Sequence, residues 1–370
     1  MTVQPSPGGA TPRTPRGLAD GEASVSATRP RPGGAGATAP RGFGAFSQRH
    51  SRILTLLGRR LIQIPFVLLA VSILTFWLIQ LVPGDPGRNA LGQYATASQV
   101  HAWDVSNGLA GSIVVRYLHW LGGFFAGNWG TSFVYSVPSR PLVLGHLENS
   151  SFLALYAFVL LVPVSVILGS IQAYREGKRS DRAITIVLMA LSSVPEFVIG
   201  VLLLVVFAVG LKAFPVQSAA DATGDFGQRV HAMTLPAVVL AVSYLAVLAR
   251  MVRTGTAGAI TAPFHRTAVL KGLPPGEIVR RHVTRNALIP TVQLLGLYLG
   301  GLLGGSAVVE TLFNYPGLGA LMVVAAERKD AVLLTDGVMV TGVIALLALL
   351  LTDVCLILMD PRIRFENKDG

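Results

Sequence analysis

The segment Phe264–Pro290, FHRTAVLKGLPPGEIVRRHVTRNALIP, decides how the rest of the chain is interpreted. It predicts a short basic helix, a Gly-Leu-Pro-Pro-Gly break at residues 272–276, and a second basic helix that returns to apolar sequence. Gly272 can adopt the left-handed conformation that ends a helix, and Pro274 and Pro275 suit the first turn of the next helix. Long apolar segments lie on both sides. A folded hairpin between two membrane spans indicates a docking element for another protein.

The composition of the 370-residue chain is that of a membrane protein. Hydrophobic residues make up 52% of it and charged residues only 13%, whereas a soluble domain has about 25% charged residues. The net charge of +11 is explained by the Lys and Arg that cytoplasmic loops collect. A nucleic-acid-binding protein would show a basic face interleaved with aromatic residues. The sequence shows no such face, so binding of nucleic acid is not predicted. The single cysteine, Cys355, excludes a disulfide framework and a cysteine-based metal site.

Six apolar segments are long enough to cross a bilayer, which takes about 20 apolar residues. The predicted spans are approximately Leu56–Val82, Ser150–Tyr174, Ala183–Leu211, Met233–Val252, Ala287–Phe313 and Thr335–Met359. If the N-terminus is inside, the cytoplasmic segments hold 23 Lys and Arg and the outer segments hold 7, which is a strong positive-inside bias. Both termini and the hairpin are therefore predicted to be cytoplasmic.

The same pattern predicts the domain organisation. Residues 1–50 are rich in Pro, Gly, Ala, Ser, Thr and Arg without an apolar run, which predicts a disordered cytoplasmic tail without a cleaved signal peptide. Residues 51–365 are predicted to form one six-span domain, followed by a short tail at 366–370. Within that domain, residues 83–149 form a long extracytoplasmic loop, and residues 253–286 form the cytoplasmic loop that contains the hairpin.

No catalytic motif is found in the chain. An ATPase needs the phosphate loop GxxxxGK[ST], but Lys178, which follows a glycine, precedes Arg179 rather than Ser or Thr. HExxH and GxSxG are absent, and the seven histidines are scattered. We therefore predict no catalytic residue, no metal site and no cofactor in this chain. A membrane-embedded enzyme would need converging catalytic residues and an ion-driven secondary carrier would usually show an inverted repeat, and both are kept as alternatives.

Two features inside the spans have both a functional and a packing interpretation. A charge within a membrane is costly and indicates function by default. Glu196, which follows Pro195 in the third span, therefore lines a polar pathway or binds a substrate amine, or it is a helix-packing or interface carboxylate. Small residues four apart let helices approach closely, either within this chain or against a second membrane subunit. Such pairs are formed in the fifth span by Gly300, Gly301, Gly304 and Gly305.

Four ordered motifs resemble the membrane subunits of ABC importers of the dipeptide/oligopeptide branch. The hairpin matches the coupling loop of that branch, RTAxxKGL followed by RHxxRNALxP. Further matches are LVPGDP at Leu81–Pro86, ETLFNYPGLG at Glu310–Gly319 and MDPRIR at Met359–Arg364, so the resemblance covers about residues 53–365. It implies an all-α polytopic membrane protein with six transmembrane helices, the type I (MetI-like) importer permease fold and a cytoplasmic coupling helix-turn-helix.

The resemblance also implies a function and a set of partners. The chain would form half of a translocation pathway for peptides or similar small solutes in the bacterial cytoplasmic (inner) membrane. A second, related permease would pair with it as a heterodimer, two ATPase subunits would bind ATP and Mg, and an extracytoplasmic solute-binding protein would deliver the substrate. Whether that substrate is a dipeptide, an oligopeptide, a nickel complex, glutathione or a saccharide stays open.

The resemblance assigns roles to individual residues as well. The contact with the ATPase would involve Arg266, Thr267, Ala268, Lys271, Gly272, Leu273, Arg281 and Arg285. For the arginines, ordinary positive-inside anchoring is an equally good explanation. Glu310 and Asn314 would belong to the outer gate or the receptor-facing surface of the pathway. The branch often has an acidic–aromatic pair before the motif, where this chain has Pro263-Phe264-His265, so the first coupling helix is predicted to begin late, near Phe264.

Overall fold

The computed structural model describes residues 42–81, 84–92, 94–219, 225–279, 283–304 and 306–359. For residues 42–57, 59–61, 275, 285, 286 and 359, it describes the backbone alone. The predicted disordered tail therefore lies almost wholly outside the described residues, as do the C-terminal tail and most of the MDPRIR motif. All contacts discussed below lie within the compact unit formed by residues 50–370.

The described part of the chain is almost entirely helical. The helices of the first part are α1 (Gly42–Leu81), α2 (Pro86–Leu91), α3 (Ala97–Ser106), α4 (Ile113–Phe125), α5 (Ser139–Tyr174), α6 (Arg179–Ser192), α7 (Glu196–Leu203), which continues as a π-helix over Leu204–Gly210, and α8 (Phe226–Thr261). Those of the second part are α9 (Pro263–Leu270), α10 (Pro275–Ile278), α11 (Thr284–Ala287), α12 (Ile289–Leu303), α13 (Ala307–Leu312), α14 (Leu318–Glu327) and α15 (Ala331–Met359). The segment between α4 and α5 adds an isolated β-bridge between Thr131 and Pro138.

Long apolar helices account for four of the six predicted spans. Among the described residues, Ile62–Leu81, α5, α8 and α15 are each long and apolar enough to cross a membrane. The third and fifth predicted spans are not single continuous helices. The third is the pair α6 and α7, bent by 98°, and the fifth is the 15-residue α12 followed, after a break, by the short α13. The count of six spans is therefore not confirmed.

Each of the two interruptions lies at a residue with an extended backbone. Pro195 precedes α7 with an extended backbone (ψ 142°), because a proline lacks the N–H of a continuing helix and disfavours helical geometry in the residue before it. Ser306 is likewise extended and accepts a hydrogen bond from Val309 N, so it is the N-cap that starts α13. The side chains of α7 and α13 then pack together, since a Cβ at Gly200 would overlap Leu312.

The core forms where α5 crosses α8. Leu153, Ala157 and Val239 are among its fully buried side chains. The two helices approach so closely that a Cβ on Gly169 would lie 2.5 Å from the carbonyl oxygen of Ala249. A contact of this kind is typical of membrane helices, whose interfaces are enriched in small residues.

The glycines of the fifth span divide between two environments. Gly300 and Gly304 face α15 of the same chain, where added Cβ atoms would lie 3.2 Å from Ala345 Cα and 2.7 Å from Thr341 Cγ2. Gly301 is exposed and has space for a side chain, whereas Gly305 lies outside the described residues. The first pair thus serves packing within the chain, and contact of Gly301 with a second subunit stays a prediction.

The segment between α1 and α5 is joined to the start of α15 by two carboxylates. Asp330 accepts hydrogen bonds from Ser132 Oγ and from Val134 N, while Asp336 accepts them from Ser139 Oγ and from the indole of Trp120. Both carboxylates are fully buried. Buried charges are stable only when they are hydrogen-bonded, so these contacts hold the loop against the helix.

Candidate functional site

Part of the segment predicted to form the hairpin lies in the described residues. Its first helix, α9, begins at Pro263, next to the predicted start near Phe264. The helix ends before Gly272, which has the left-handed conformation expected of it (φ +71°), and the chain becomes helical again at Pro275. Residues 280–282 lie outside the described residues, so the second basic helix is seen only as α10 and α11 on either side.

The base of the hairpin is packed against α8. Ala268, Ile278, Val283 and Ala287 are buried together with Ala259 of α8. The adjacent Gly255 of α8 meets the hairpin so closely that a Cβ would overlap the carbonyl oxygen of Ala287. The joint between the hairpin and α8 is therefore tightly packed, and packed interiors deform little.

The outer surface of the hairpin is exposed and partly apolar. Leu270, the last residue of α9, is 79% exposed and Val269 is 53% exposed. They stand between the exposed side chains of Arg266 and Lys271. Large apolar side chains at the end of a short basic helix form a surface that another protein can cover.

The residues predicted to contact the ATPase do not all lie on this surface. Arg266, Thr267, Lys271 and Gly272 are exposed, whereas Ala268 is buried and Leu273 is half-buried in the base of the hairpin. Arg281 lies outside the described residues, and Arg285 is described only as backbone within α11. Sequence reasoning missed Val269 and Leu270. The helical period could have indicated them. If Ala268 faces the base of the hairpin, the next two residues of the helix face away from it.

An ion pair is formed by Arg253 of α8, two residues before Gly255. Arg253 Nη2 lies 2.9 Å from Asp181 Oδ2 and 3.9 Å from Glu176 Oε1. The Asp181 side chain is only 6% exposed and also accepts a hydrogen bond from Gly177 N. The pair therefore connects α8 to the turn between α5 and α6. Arg253 was read from the sequence only as one of the cytoplasmic basic residues.

Glu310, predicted to lie on the pathway, is fully buried within the chain. Its carboxylate accepts hydrogen bonds from Ser150 Oγ at 2.7 Å and from Ala320 N at 2.9 Å. Ser150 Oγ in turn accepts one from Leu318 N at 2.8 Å. In this conformation Glu310 reaches no exposed surface, and it holds α13, α14 and α5 together. Its role in the pathway stays a prediction.

The glycines of ETLFNYPGLG are explained by this carboxylate. A Cβ at Gly317 would overlap the carboxyl group of Glu310, and one at Gly319 would lie 2.8 Å from Ala307 N and 2.9 Å from Glu310 Oε2. The motif thus contains both the acid, Glu310, and the two glycines that leave room for its carboxyl group. Asn314, in the turn of the same motif, is exposed with φ +47°, which Asn tolerates better than most residues, and its amide donates to Gln217 at 3.4 Å.

Glu196 lies where the two interrupted helices meet. It is the first residue of α7, and Ser306 Oγ, which caps α13, donates a hydrogen bond to its Oε1 at 3.4 Å. The side chain is partly exposed. A carboxylate at the first turn of a helix is favoured by the helix dipole, which supports the packing interpretation. The partial exposure keeps the pathway interpretation open as a prediction.

The described residues contain no group of three or more His, Cys, Asp or Glu side chains placed to hold a metal ion. The side chains described above therefore form two kinds of site. One is an exposed hairpin suited to docking, and the other is a set of polar residues where interrupted helices meet.

Comparison with known proteins assigns the chain to a family. Residues 165–365 match the family model of the inner membrane component of binding-protein-dependent transport systems, and residues 53–141 match the model of the N-terminal region of such components. The chain belongs to this family. A probable peptide ABC transporter permease of Sinorhizobium fredii is 33% identical to the permease over 308 residues, which cover 83% of the chain and 98% of that relative.

Two further comparisons were made, one with a relative and one with a solved structure. The oligopeptide transport system permease protein AppB of Bacillus subtilis is 31% identical over 313 residues, which cover 84% of the permease and 99% of the relative. A crystal structure of an amino acid ABC transporter with histidines matches with a TM-score of 0.39 and 17% identity over 59% of the permease and 92% of that chain. With its apolar helices, the chain is a multi-pass membrane protein and a permease subunit of an ABC importer, a transport subunit rather than an enzyme.

Proposed function

We propose that the permease forms half of a translocation pathway for peptides in the bacterial cytoplasmic membrane, with both termini in the cytoplasm. The exposed, partly apolar tip of the hairpin is the observation that carries the proposal, because it is suited to docking and its base is fixed to α8. Relatives of similar length are named for the transport of peptides and oligopeptides. The excess of Lys and Arg on the hairpin side supports the orientation.

The remaining parts of the importer would be supplied by other chains. A second, related permease would complete the pathway, and an extracytoplasmic binding protein would deliver the peptide. Two ATPase subunits would bind ATP and Mg, and each would receive one coupling hairpin. Leu270 and Val269 would enter the groove of the ATPase, while Arg266 and Lys271 would contact its rim.

The packing described above gives a route for the work of ATP binding. Closure of the ATPases would displace the hairpin, and the tight contact of Gly255 with Ala287 would pass the displacement to α8. Arg253 would then pull the turn between α5 and α6 through Asp181. The core formed by α5 and α8 would move as a unit, and the pathway would open alternately to the two sides of the membrane.

A transport assay tests the proposal. The permease is reconstituted into proteoliposomes with its partner permease, the two ATPases and the binding protein, and uptake of a radiolabelled dipeptide is measured. We expect uptake with ATP and none when an ATPase variant that binds but does not hydrolyse ATP replaces the active one. Uptake that persists without ATP hydrolysis would refute the proposal.

A competition assay tests the substrate class. We expect unlabelled dipeptides and oligopeptides to compete for the binding protein, and glutathione, nickel complexes and saccharides to compete poorly. The opposite order would leave the importer assignment intact but reject peptides as its substrate.

A further inference from the structure

The segment between α1 and α5 lines an open cavity together with residues of α1 and α15. Its volume is about 590 Å³, within the 300–1,000 Å³ that is usual for small-molecule sites. It is lined by Arg116, His119 and Trp120 of α4 and by Trp129 and Phe133 of the segment that follows α4. The coupling mechanism proposed above involves none of these side chains.

Arg116 is the charged group of this cavity, and the protein leaves its donors largely unused. Its side chain is partly buried, yet no described residue accepts a hydrogen bond from it or forms an ion pair with it. Burial lowers the pKa of Arg116, and the negative charge of Asp104 partly offsets that effect. A guanidinium has five N–H donors in a planar fork that matches a carboxylate. The unmet donors therefore favour an anion in the cavity.

The aromatic walls are held in place by contacts outside the cavity. The indole N–H of Trp120 donates to Asp336 at 2.9 Å, and that of Trp129 donates to the carbonyl oxygen of Phe124 at 3.2 Å. Trp129 also stacks on Phe124, with ring centroids 4.8 Å apart. The guanidinium of Arg140 also lies over the Trp129 ring, 6.0 Å from its centroid. Because both indole N–H groups are already bonded, the rings contribute mainly apolar surface to the cavity. Fixed aromatic faces bind an apolar group with little loss of side-chain entropy.

We propose that this cavity binds a small organic carboxylate that carries an apolar side chain, with the carboxylate on Arg116 and the side chain against Trp129 and Phe133. The C-terminus of a short peptide is such a group, and naming a peptide as the ligand rests on the function proposed above. His119, one turn beyond Arg116 on the same face of α4, supplies a second donor to the carboxylate.

Equilibrium binding tests the proposal with two ligands that differ only in charge. The complete permease–ATPase complex is prepared in nanodiscs without nucleotide or binding protein. Ala-Leu and its C-terminal amide are titrated while tryptophan fluorescence is recorded, since Trp120 and Trp129 line the cavity. We expect the free acid to bind at least about tenfold more tightly than the amide, as a hydrogen bond to a charged group predicts. Equal affinities, or no saturable binding of the acid at millimolar peptide, would overturn the proposal.

A matched pair of variants separates Arg116 from the general positive charge of the loop. Arg116→Gln is expected to weaken binding of the acid about tenfold and to remove the difference between acid and amide. Arg88→Gln removes an exposed arginine of α2 that does not line the cavity, and it is expected to bind like the unmodified protein. Unchanged binding of the acid by Arg116→Gln would overturn the proposal. This holds even if the variant weakened docking of the binding protein, because Arg116 would then bind a side chain of that partner rather than a peptide carboxylate.

The transport assay keeps this inference distinct from the proposed function. If the complex shows ATP-dependent uptake but binds the acid and the amide equally well, only the proposed carboxylate site in the cavity is rejected. Loss of ATP-dependent uptake by the unmodified complex would reject the proposed function, whatever the binding titration showed.

Discussion

Replacing Gly317 by Ala tests the account of the ETLFNYPGLG motif most directly. The backbone of Gly317 has φ −97°, which any residue adopts, so the substitution causes no backbone strain. The three atoms nearest to a new Cβ all belong to the carboxyl group of Glu310, and they would overlap it. The carboxylate must therefore move away from Ser150 Oγ and Ala320 N, its donors at 2.7 and 2.9 Å.

The expected cost follows from these two contacts. A hydrogen bond to a charged group contributes about 1.5–3 kcal/mol, so losing both costs about 3–6 kcal/mol. Values measured between membrane helices are lower, which places the expectation near the lower end, about 3 kcal/mol. At about 2 °C per kcal/mol for a large chain, the apparent Tm should fall by about 6 °C.

The assay is thermal unfolding of the detergent-solubilised permease, with Gly122→Ala as the control. Gly122 lies within α4 and has open space for a Cβ, so its Tm should not fall. The decisive measurement is the double variant Gly317→Ala with Glu310→Ala. With the carboxyl group gone, the new methyl group meets no obstacle, and the Tm should equal that of Glu310→Ala alone. An unchanged Tm for Gly317→Ala, or additive losses in the double variant, would refute the reasoning.

Three further substitutions test the hairpin and its anchor. Leu270→Ser should reduce ATP-dependent uptake at least tenfold without lowering the Tm, since the side chain is 79% exposed, and unchanged uptake would show that the tip is not a docking surface. Gly272→Val should cost about 1–2 kcal/mol through its positive φ and uncouple ATP hydrolysis from uptake, while a loss of membrane insertion would indicate a role in folding. Arg253→Gln leaves Asp181 buried without its ion-pair partner and should lower the free energy of unfolding by about 3–5 kcal/mol. An unchanged Tm would mean that the ion pair does not stabilise the protein.

The sequence was sufficient for the local features of the coupling hairpin. The left-handed Gly272 could be predicted because residue type alone constrains the backbone at a positive φ. The long apolar runs of α5, α8 and α15 were likewise evident from composition. Each of these features depends on residues close together in the chain.

The interruptions of the third and fifth spans could not be predicted in the same way. Pro65, Pro163 and Pro236 lie inside continuous helices, whereas Pro195 stands at a bend of 98°. All four prolines lack the same N–H, so residue type does not distinguish a tolerated proline from a bend. The outcome depends on neighbouring helices that satisfy or replace the lost hydrogen bond.

The surroundings of Glu310 were hidden for a related reason. Its donor Ser150 is 160 residues away in the chain, and only the packing of α5 against the motif brings them together. From the sequence alone, an acid near the end of an apolar segment can be a gate residue or a buried packing residue. The following glycines were the available signal, since two small residues after an acid can indicate the space that it fills.

The hydrogen bonds of Asp330 and Asp336 set a limit on how far the permease can be simplified. Removal of the segment between α1 and α5, to obtain a smaller transporter for engineering, would take away Ser132 and Trp120 together with the loop. Asp330 would keep the N–H of Leu333 but lose Ser132 and Val134, and Asp336 would keep Ser139 of α5 but lose Trp120. Burial of two acids that have lost part of their donors would become a net cost. A shortened transporter would need apolar replacements at both acids, so the loop and the last helix must be redesigned together.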